Sequence, residues 1–321
     1  MKEQIRNDVE MLAIAGGRAV GTKGHDTARQ YLDQRLRQLQ LQPYTGDSFQ
    51  MPYGVDRVSF VNLVGRLPGQ STDTNPLLIG AHYDTCGPTP GADDIAAAVA
   101  IVLAAAKRLK ESPLERDVIV AIFDAEEPPH FLQESMGSTA FYRHQKRNAE
   151  AIDCAFILDL VGHDVPIPGM ERLLFITGME SHQQLEKVLL QTEVDERIKL
   201  VAALNAYVGD MSDYHIFRVN GIPYLFFSCG RWQHYHMPTD TPDKLNYDKV
   251  EAIANSLVDI VRRCDAAQFS PADRTYDSTP TELLFMNHSL GPFLEARGMA
   301  PPQSRADLDK IASLLLAQFR L

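Results

Sequence analysis

LLIGAHYDTCGPTPGADDIAAAVAIVLAAA, residues Leu77 to Ala106, joins a strand, a loop and a helix in one passage. The run Leu77–Ala81 is apolar and short, which predicts a buried strand. His82-x-Asp84 follows, then a Gly/Pro loop that closes on Gly91-Ala92-Asp93-Asp94, where a long Ala-rich helix begins. A histidine therefore stands at the carboxyl end of a strand and an aspartate pair at the mouth of a helix. In open α/β sheets, ligands bind in the crevice at the carboxyl ends of the strands.

Outward from that passage, strands and helices alternate. Residues 3–15 and 25–41 have helical periodicity, the second with Ala28, Tyr31, Leu32, Leu36 and Leu39 along one face. Residues 47–67 predict one or two strands. The VIVAIF run at 118–123 is apolar throughout, as expected of a central strand covered on both faces. Further strands are expected at 154–158, 172–177, 198–204 and 222–228. Helices are expected near 138–146, 181–191 and 246–265, with a short one stopping at Gly221. The pattern predicts an α/β fold: three layers, α/β/α, with a mainly parallel mixed central sheet flanked by helices. Residues 1–269 read as a single α/β domain. Residues 270–321 read as a C-terminal extension, made of the polar linker SPADRTYDSTP and a terminal amphipathic helix from Ser304 to Phe319.

Composition excludes several classes. A net charge of −11 opposes nucleic-acid binding, which needs Lys and Arg on phosphates. There is no run of 18 apolar residues, so no membrane-spanning helix is expected. The start, MKEQIRNDVEMLAIAGG, is a poor secretory signal, and the default expectation is cytoplasmic. Cys86, Cys154, Cys229 and Cys264 share no CxxC spacing and read as free thiols, mostly in the core.

The polar residues expected at strand ends are His82, Asp94, Glu126, Glu127, Asp159 and His236. Imidazoles with carboxylates and no thiolate suit Zn²⁺. One carboxylate can bridge two ions about 3.5–4 Å apart, and Asp94, at a helix start beside a glycine turn, is best placed to do so. Each ion then has one His and one further carboxylate. Consecutive residues leaving a strand point in different directions, so one of Glu126 and Glu127 can bind metal while the other serves as general base. Asp84 is placed to orient the His82 imidazole, and Asp240 to do the same near His236. Each residue alone has a plainer explanation: a hydrogen-bonded histidine, a solvated glutamate pair, a helix cap at Asp94. Asp159 in an apolar strand is harder to explain so, because a buried unpaired carboxylate is costly. The coincidence of all six at strand ends is what points to a metal site.

With these residues collected, the chain resembles the clan MH zinc-dependent aminopeptidases, the family of the bacterial leucyl and general aminopeptidases. The matching motifs are GAHYDT, PGADD, FDAEE, ILDLVG, SDYHIF with GIPYLFF, and YHMPTDTPDKL, together with GRAVGTKGHDTARQYL near the start. The resemblance implies His82 and Asp159 on one zinc, Glu127 and His236 on the other, Asp94 bridging, and Glu126 as base. It implies removal of the N-terminal amino acid from a peptide or small aminoacyl substrate, and a cis peptide at Asp94–Ile95. The chain departs from the family at Ile95-Ala-Ala-Ala, where Asn-Ala-Ser-Gly is usual, and in the longer loop PPHFLQESM after Glu127. That loop, ILDLVG and Trp232 lean toward the related glutaminyl-peptide cyclases, which use a single zinc held by the equivalents of Asp94, Glu127 and His236. A third reading is an inactive, peptidase-like binding protein. Asp213 is a candidate for holding the substrate amine, Tyr207 for supporting an oxyanion, and Trp232 for a pocket wall. Cys86, Cys229, His163, His215 and His234 read as structural.

Overall fold

The computed structural model describes residues 1–269 and 276–319, with side chains to 317. Residues 270–275 of the expected linker lie outside the described residues. The strands are β1 (Gln42–Pro43), β2 (Gln50–Val55), β3 (Val58–Leu67), β4 (Leu77–His82), β5 (Val118–Phe123), β6 (Cys154–Leu158), β7 (Leu173–Thr177), β8 (Lys199–Ala203) and β9 (Tyr224–Ser228). The helices are α1 (Lys2–Leu12), α2 (Lys23–Gln38), α3 (Ala98–Lys110), α4 (Gly137–Arg147), α5 (Gln183–Gln191), α6 (His215–Val219), α7 (Tyr247–Asp265), α8 (Thr279–Glu295) and α9 (Arg305–Phe319).

The strands form one sheet in the order β1-β3-β5-β4-β6-β9-β7-β8, with β2 also on β3. The centre, β5-β4-β6-β9, is parallel. The joins β3–β5 and β9–β7 are antiparallel, so the sheet is mixed with its parallel part in the middle. β2 and β3 form a hairpin whose turn residues, Asp56 and Arg57, have φ of 49° and 67°, the hand that matches strand twist.

Both faces of the central strands are covered, which is why their sequences do not alternate. Val118, Val120 and Ile122 of β5 join the larger core with α1, α2, α3 and α7. Ile119, Ala121 and Phe123 join a second core with Phe141 of α4 and Phe217 of α6. Helix α3 is buried nearly all round, and its alanines let it lie close to its neighbours. No helix among the described residues is long and apolar enough to cross a membrane.

Helix α8 is absent from the sequence-based reading, which ends the linker at Pro280 and assigns no element to residues 281–303. Its apolar residues do not form a clean stripe, and Gly291-Pro292 reads as a break. It forms on the outermost strand, β8, where Ser289 Oγ donates to Leu200 O at 2.5 Å and Met286 and Leu290 enter the core. Arg305 of α9 ties the last helix to α8 through both carboxylate oxygens of Glu282, at 2.7 and 2.8 Å.

Candidate metal centre

The parallel centre of the sheet delivers the candidate ligands. His82 ends β4, Glu126 and Glu127 follow β5, Asp159 follows β6, and His236 lies on the loop after β9. Asp94 sits in the π-helical turn Ala92–Ala97 that opens α3. Gly91 begins that turn at φ +64°, and a Cβ there would lie 2.3 Å from Asp94 O, so only glycine fits. The Asp94–Ile95 peptide is cis.

Asp94 faces both imidazoles. Its Oδ1 lies 3.7 Å from His82 Nε2 and its Oδ2 lies 3.1 Å from His236 Nε2. Asp159 Oδ2 is 3.7 Å from His82 Nε2, and Glu127 Oε2 is 3.2 Å from His236 Nε2. Glu126 Oε2 is 3.6 Å from His82 Nε2, no farther than Asp159, so distance alone does not separate a base from a ligand there. His82, Asp94, Glu126, Glu127 and Asp159 are all 7% exposed or less.

Buried polar atoms are ordinarily hydrogen-bonded. Here both ring nitrogens of His82, Glu127 Oε1 and Asp159 Oδ1 are buried with no hydrogen-bond partner. Imidazole and carboxylate donors left open in this way fit divalent zinc.

The surroundings hold these groups through the backbone. Asp84 accepts from the N–H groups of Glu126 and Glu127, each at 3.0 Å, and its Oδ1 lies 3.3 Å from His82 Nδ1. One carboxylate therefore fixes the backbone of both glutamates after β5 and faces the histidine that ends β4. Asp240 does not orient His236. It accepts from the N–H groups of Asp93 and Asp94, at 2.9 and 3.1 Å, and so sets the bridging position. Asp240→Asn leaves one acceptor for two donors, and metal affinity should fall by about 10–100-fold in a chelator competition titration. An unchanged affinity would remove Asp240 from this role.

Three further supports escape sequence reasoning. Arg18, 1% exposed, donates to the carbonyls of Tyr83, Leu12, Pro90 and Gly91 and so clamps the ligand loop. Burial lowers its pKa to about 10 against the pull of Asp94 and Asp240. His25 Nε2 pairs with Asp124 Oδ1 at 2.7 Å, and His163 Nδ1 with Asp93 Oδ2 at 2.7 Å. The only signal for Arg18 and His25 was their place in GRAVGTKGHD. His163 carried none.

In the absence of a cation, protons would compensate this cluster. Burial pushes Glu126 well up, and pushes Glu127 up to about 7, with His82 opposing the first and Asp94 reinforcing the second. Asp159 is likewise raised by burial. Burial works against charge on His236, but Asp94 and Glu127 outweigh it and raise it to about 10. All these groups bind protons more tightly folded than unfolded, so the slope of stability with pH is negative. Glu127 stabilises below about pH 4 and loses that contribution as pH rises through about 7; Glu126 and Asp159 lose theirs as pH rises through their own raised values, and His236 loses its own as pH rises through about 10. Zinc must displace the same protons. The gap in Tm between zinc-loaded and chelated protein should widen from about pH 5.5 to about pH 8. Differential scanning calorimetry would show this, and a gap that narrows would contradict the protonated cluster.

A cavity of about 410 Å³ opens onto Asp94, Glu126, Glu127, Asp159 and His236. Its other walls are mainly apolar, including Phe175 and Phe226 from the sheet, Met286 of α8, and Ala312 and Leu315 of α9. Tyr207 lines the cavity, but its hydroxyl donates to Asp309 Oδ1 at 2.6 Å and accepts from Arg305 at 3.2 Å; it is held by the last helix rather than free to support an oxyanion. Trp232 does not line this cavity. It stacks on His163, with ring centroids 4.4 Å apart, and so backs the Asp93 support. Asp213 is fully buried beside the site and does not line the cavity; both of its carboxylate oxygens lack a hydrogen-bond partner. Burial raises its pKa to about 7.

The family model described as Peptidase family M28 matches residues 62–261. The uncharacterized protein YfbL of Escherichia coli is 25% identical over 215 residues, covering 58% of this chain and 66% of that protein. Among solved structures, the LapA aminopeptidase of Legionella pneumophila superposes with a TM-score of 0.69 at 16% identity, covering 83% of this chain and 72% of that one. The glutaminyl cyclase of Fimbriiglobus ruber gives 0.63 at 22% identity, covering 82% and 95%. The chain spans less than two thirds of the length of the curated relatives it matches.

Proposed function

The chain belongs to peptidase family M28, and from that premise we propose that it is a zinc-dependent aminopeptidase with two ions at one site. The observation that carries this reading is Asp94, whose two oxygens face two different imidazoles, each paired with a carboxylate of its own. His82 and Asp159 would hold one zinc, Glu127 and His236 the other, and Asp94 both. Zinc bound there would polarise the scissile carbonyl and lower the pKa of water. Glu126 takes the proton of the attacking water on its carboxylate and returns it to the leaving amine nitrogen. A buried glutamate whose pKa is raised toward the working pH suits both halves of that task. Asp84 is a positioning residue: it holds the Glu126 and Glu127 backbone and faces His82.

The apolar walls suit a substrate whose N-terminal side chain is large and apolar. Ala312→Trp would fill part of the cavity, and the preference for a Leu-anilide over an Ala-anilide, read as a ratio of kcat/KM, should drop by about tenfold or more. An unchanged ratio would show that the side chain binds elsewhere.

The single-zinc cyclase is the second reading, favoured by the longer loop after Glu127. It leaves the open nitrogens of His82 and the buried Asp159 without a function. Metal content per chain, with activity on an aminoacyl anilide and on a Gln-initiated peptide, tests the choice. Two zincs with anilide cleavage are expected. One zinc with pyroglutamate formation would overturn the aminopeptidase reading, and no metal with no turnover would favour a binding protein.

A further inference from the structure

One side chain beside the second ion position has no part in the site as described. Cys86 Sγ, a carboxylate oxygen of Glu127 and a ring nitrogen of His236 lie within 4.8 Å of one another. Glu127 is 5% exposed, and its Oε1 is buried without a hydrogen-bond partner. The thiol and an unsatisfied carboxylate thus converge on the same small volume.

The backbone that carries the thiol is held in place. Thr89 Oγ1 donates to Cys86 O at 3.0 Å. Thr85 Oγ1 accepts from Arg18 N at 2.7 Å and donates to Gly87 O at 3.2 Å. Cys86 is absent from the cavity lining, whereas Glu127 and His236 belong to it. A tetrahedral ion with bonds of about 2.0–2.3 Å spaces its donors roughly 3.3–3.8 Å apart, within reach of the 4.8 Å inside which these three atoms lie.

We propose that Cys86 is a sulfur donor to the metal held by Asp94, Glu127 and His236. This rests on the metal-site reading above. It makes the two positions unequal. The position with Cys86 has four protein donors and is closed, as structural zinc sites are, while the position with His82, Asp94 and Asp159 keeps a place open beside Glu126. The thiolate also makes the closed position the softer of the two, favouring Zn²⁺ or Cd²⁺ over Mn²⁺. On binding, the thiol proton is released to solvent and a metal–sulfur bond forms, with no redox change.

The test is Co²⁺ titration of the metal-free protein, followed by absorbance and by the rate of Cys86 alkylation with iodoacetamide, mapped by mass spectrometry. Expected are two cobalts per chain, a sulfur-to-cobalt charge-transfer band in the near ultraviolet, loss of that band in Cys86→Ser, and protection of Cys86 from alkylation once cobalt is bound. The alkylation arm uses the wild-type chain and does not depend on the variant folding. Cobalt bound without the band or the protection would overturn this inference and leave the dinuclear reading standing. No cobalt bound would overturn both.

Discussion

Glu126→Gln should lower kcat on an aminoacyl anilide by about 10²–10⁴-fold, the usual loss of a general base. Gln keeps the shape and cannot accept the proton, so the metal content should remain at the wild-type level. That second reading matters because Glu126 Oε2 lies as near His82 Nε2 as Asp159 Oδ2 does, at 3.6 against 3.7 Å. A ligand role for Glu126 would lower metal content and activity together. A base role lowers kcat alone and leaves KM nearly unchanged. Near-wild-type turnover would remove Glu126 from the chemistry.

Asp94→Ala should cost more. It removes both oxygens that face the imidazoles of His82 and His236, and the affinity for both ions should fall beyond the 10–100-fold expected for a supporting residue such as Asp240. Plasma emission analysis of dialysed protein should find the content falling from two ions per chain toward none, with anilide hydrolysis lost. The plainer role of Asp94, a helix-mouth residue, gives a different result: about 0.5–2 kcal/mol less stability with metal retained. Removing this carboxylate also relieves Glu127, whose pKa Asp94 helps to raise. The chelated variant should therefore lose less Tm between about pH 5.5 and about pH 8 than chelated wild type.

The fold was legible wherever burial leaves a pattern in the chain. The runs at 77–82 and 118–123 are apolar throughout because helices cover both faces of those strands, so the sequence alone places them at the sheet centre. The candidate ligands were legible because strand ends put unusual polar residues next to apolar runs, and the structure brings all six of them together at one end of the parallel strands.

What the sequence does not carry is direction and distance between segments remote in the chain. Asp240 lies a few residues from His236, which suggested a partner for that imidazole, yet its carboxylate turns to the backbone of Asp93 and Asp94, 146 or more residues away. Trp232 stands beside a ligand loop but stacks on His163, and Asp213 is fully buried and does not line the cavity. Arg18 leaves no periodic trace because its partners are main-chain carbonyls, which every residue possesses. Helix α8, which starts at Thr279, forms on β8, a strand that the chain completes at Ala203. The sequence by itself determined the layered α/β class and the identity of the candidate ligands, because both depend on local periodicity and residue chemistry. The supports of the site, and the wall that α8 and α9 give the cavity, were decided only by tertiary packing, because hydrogen bonds and contacts between distant segments depend on where the folded backbone brings them.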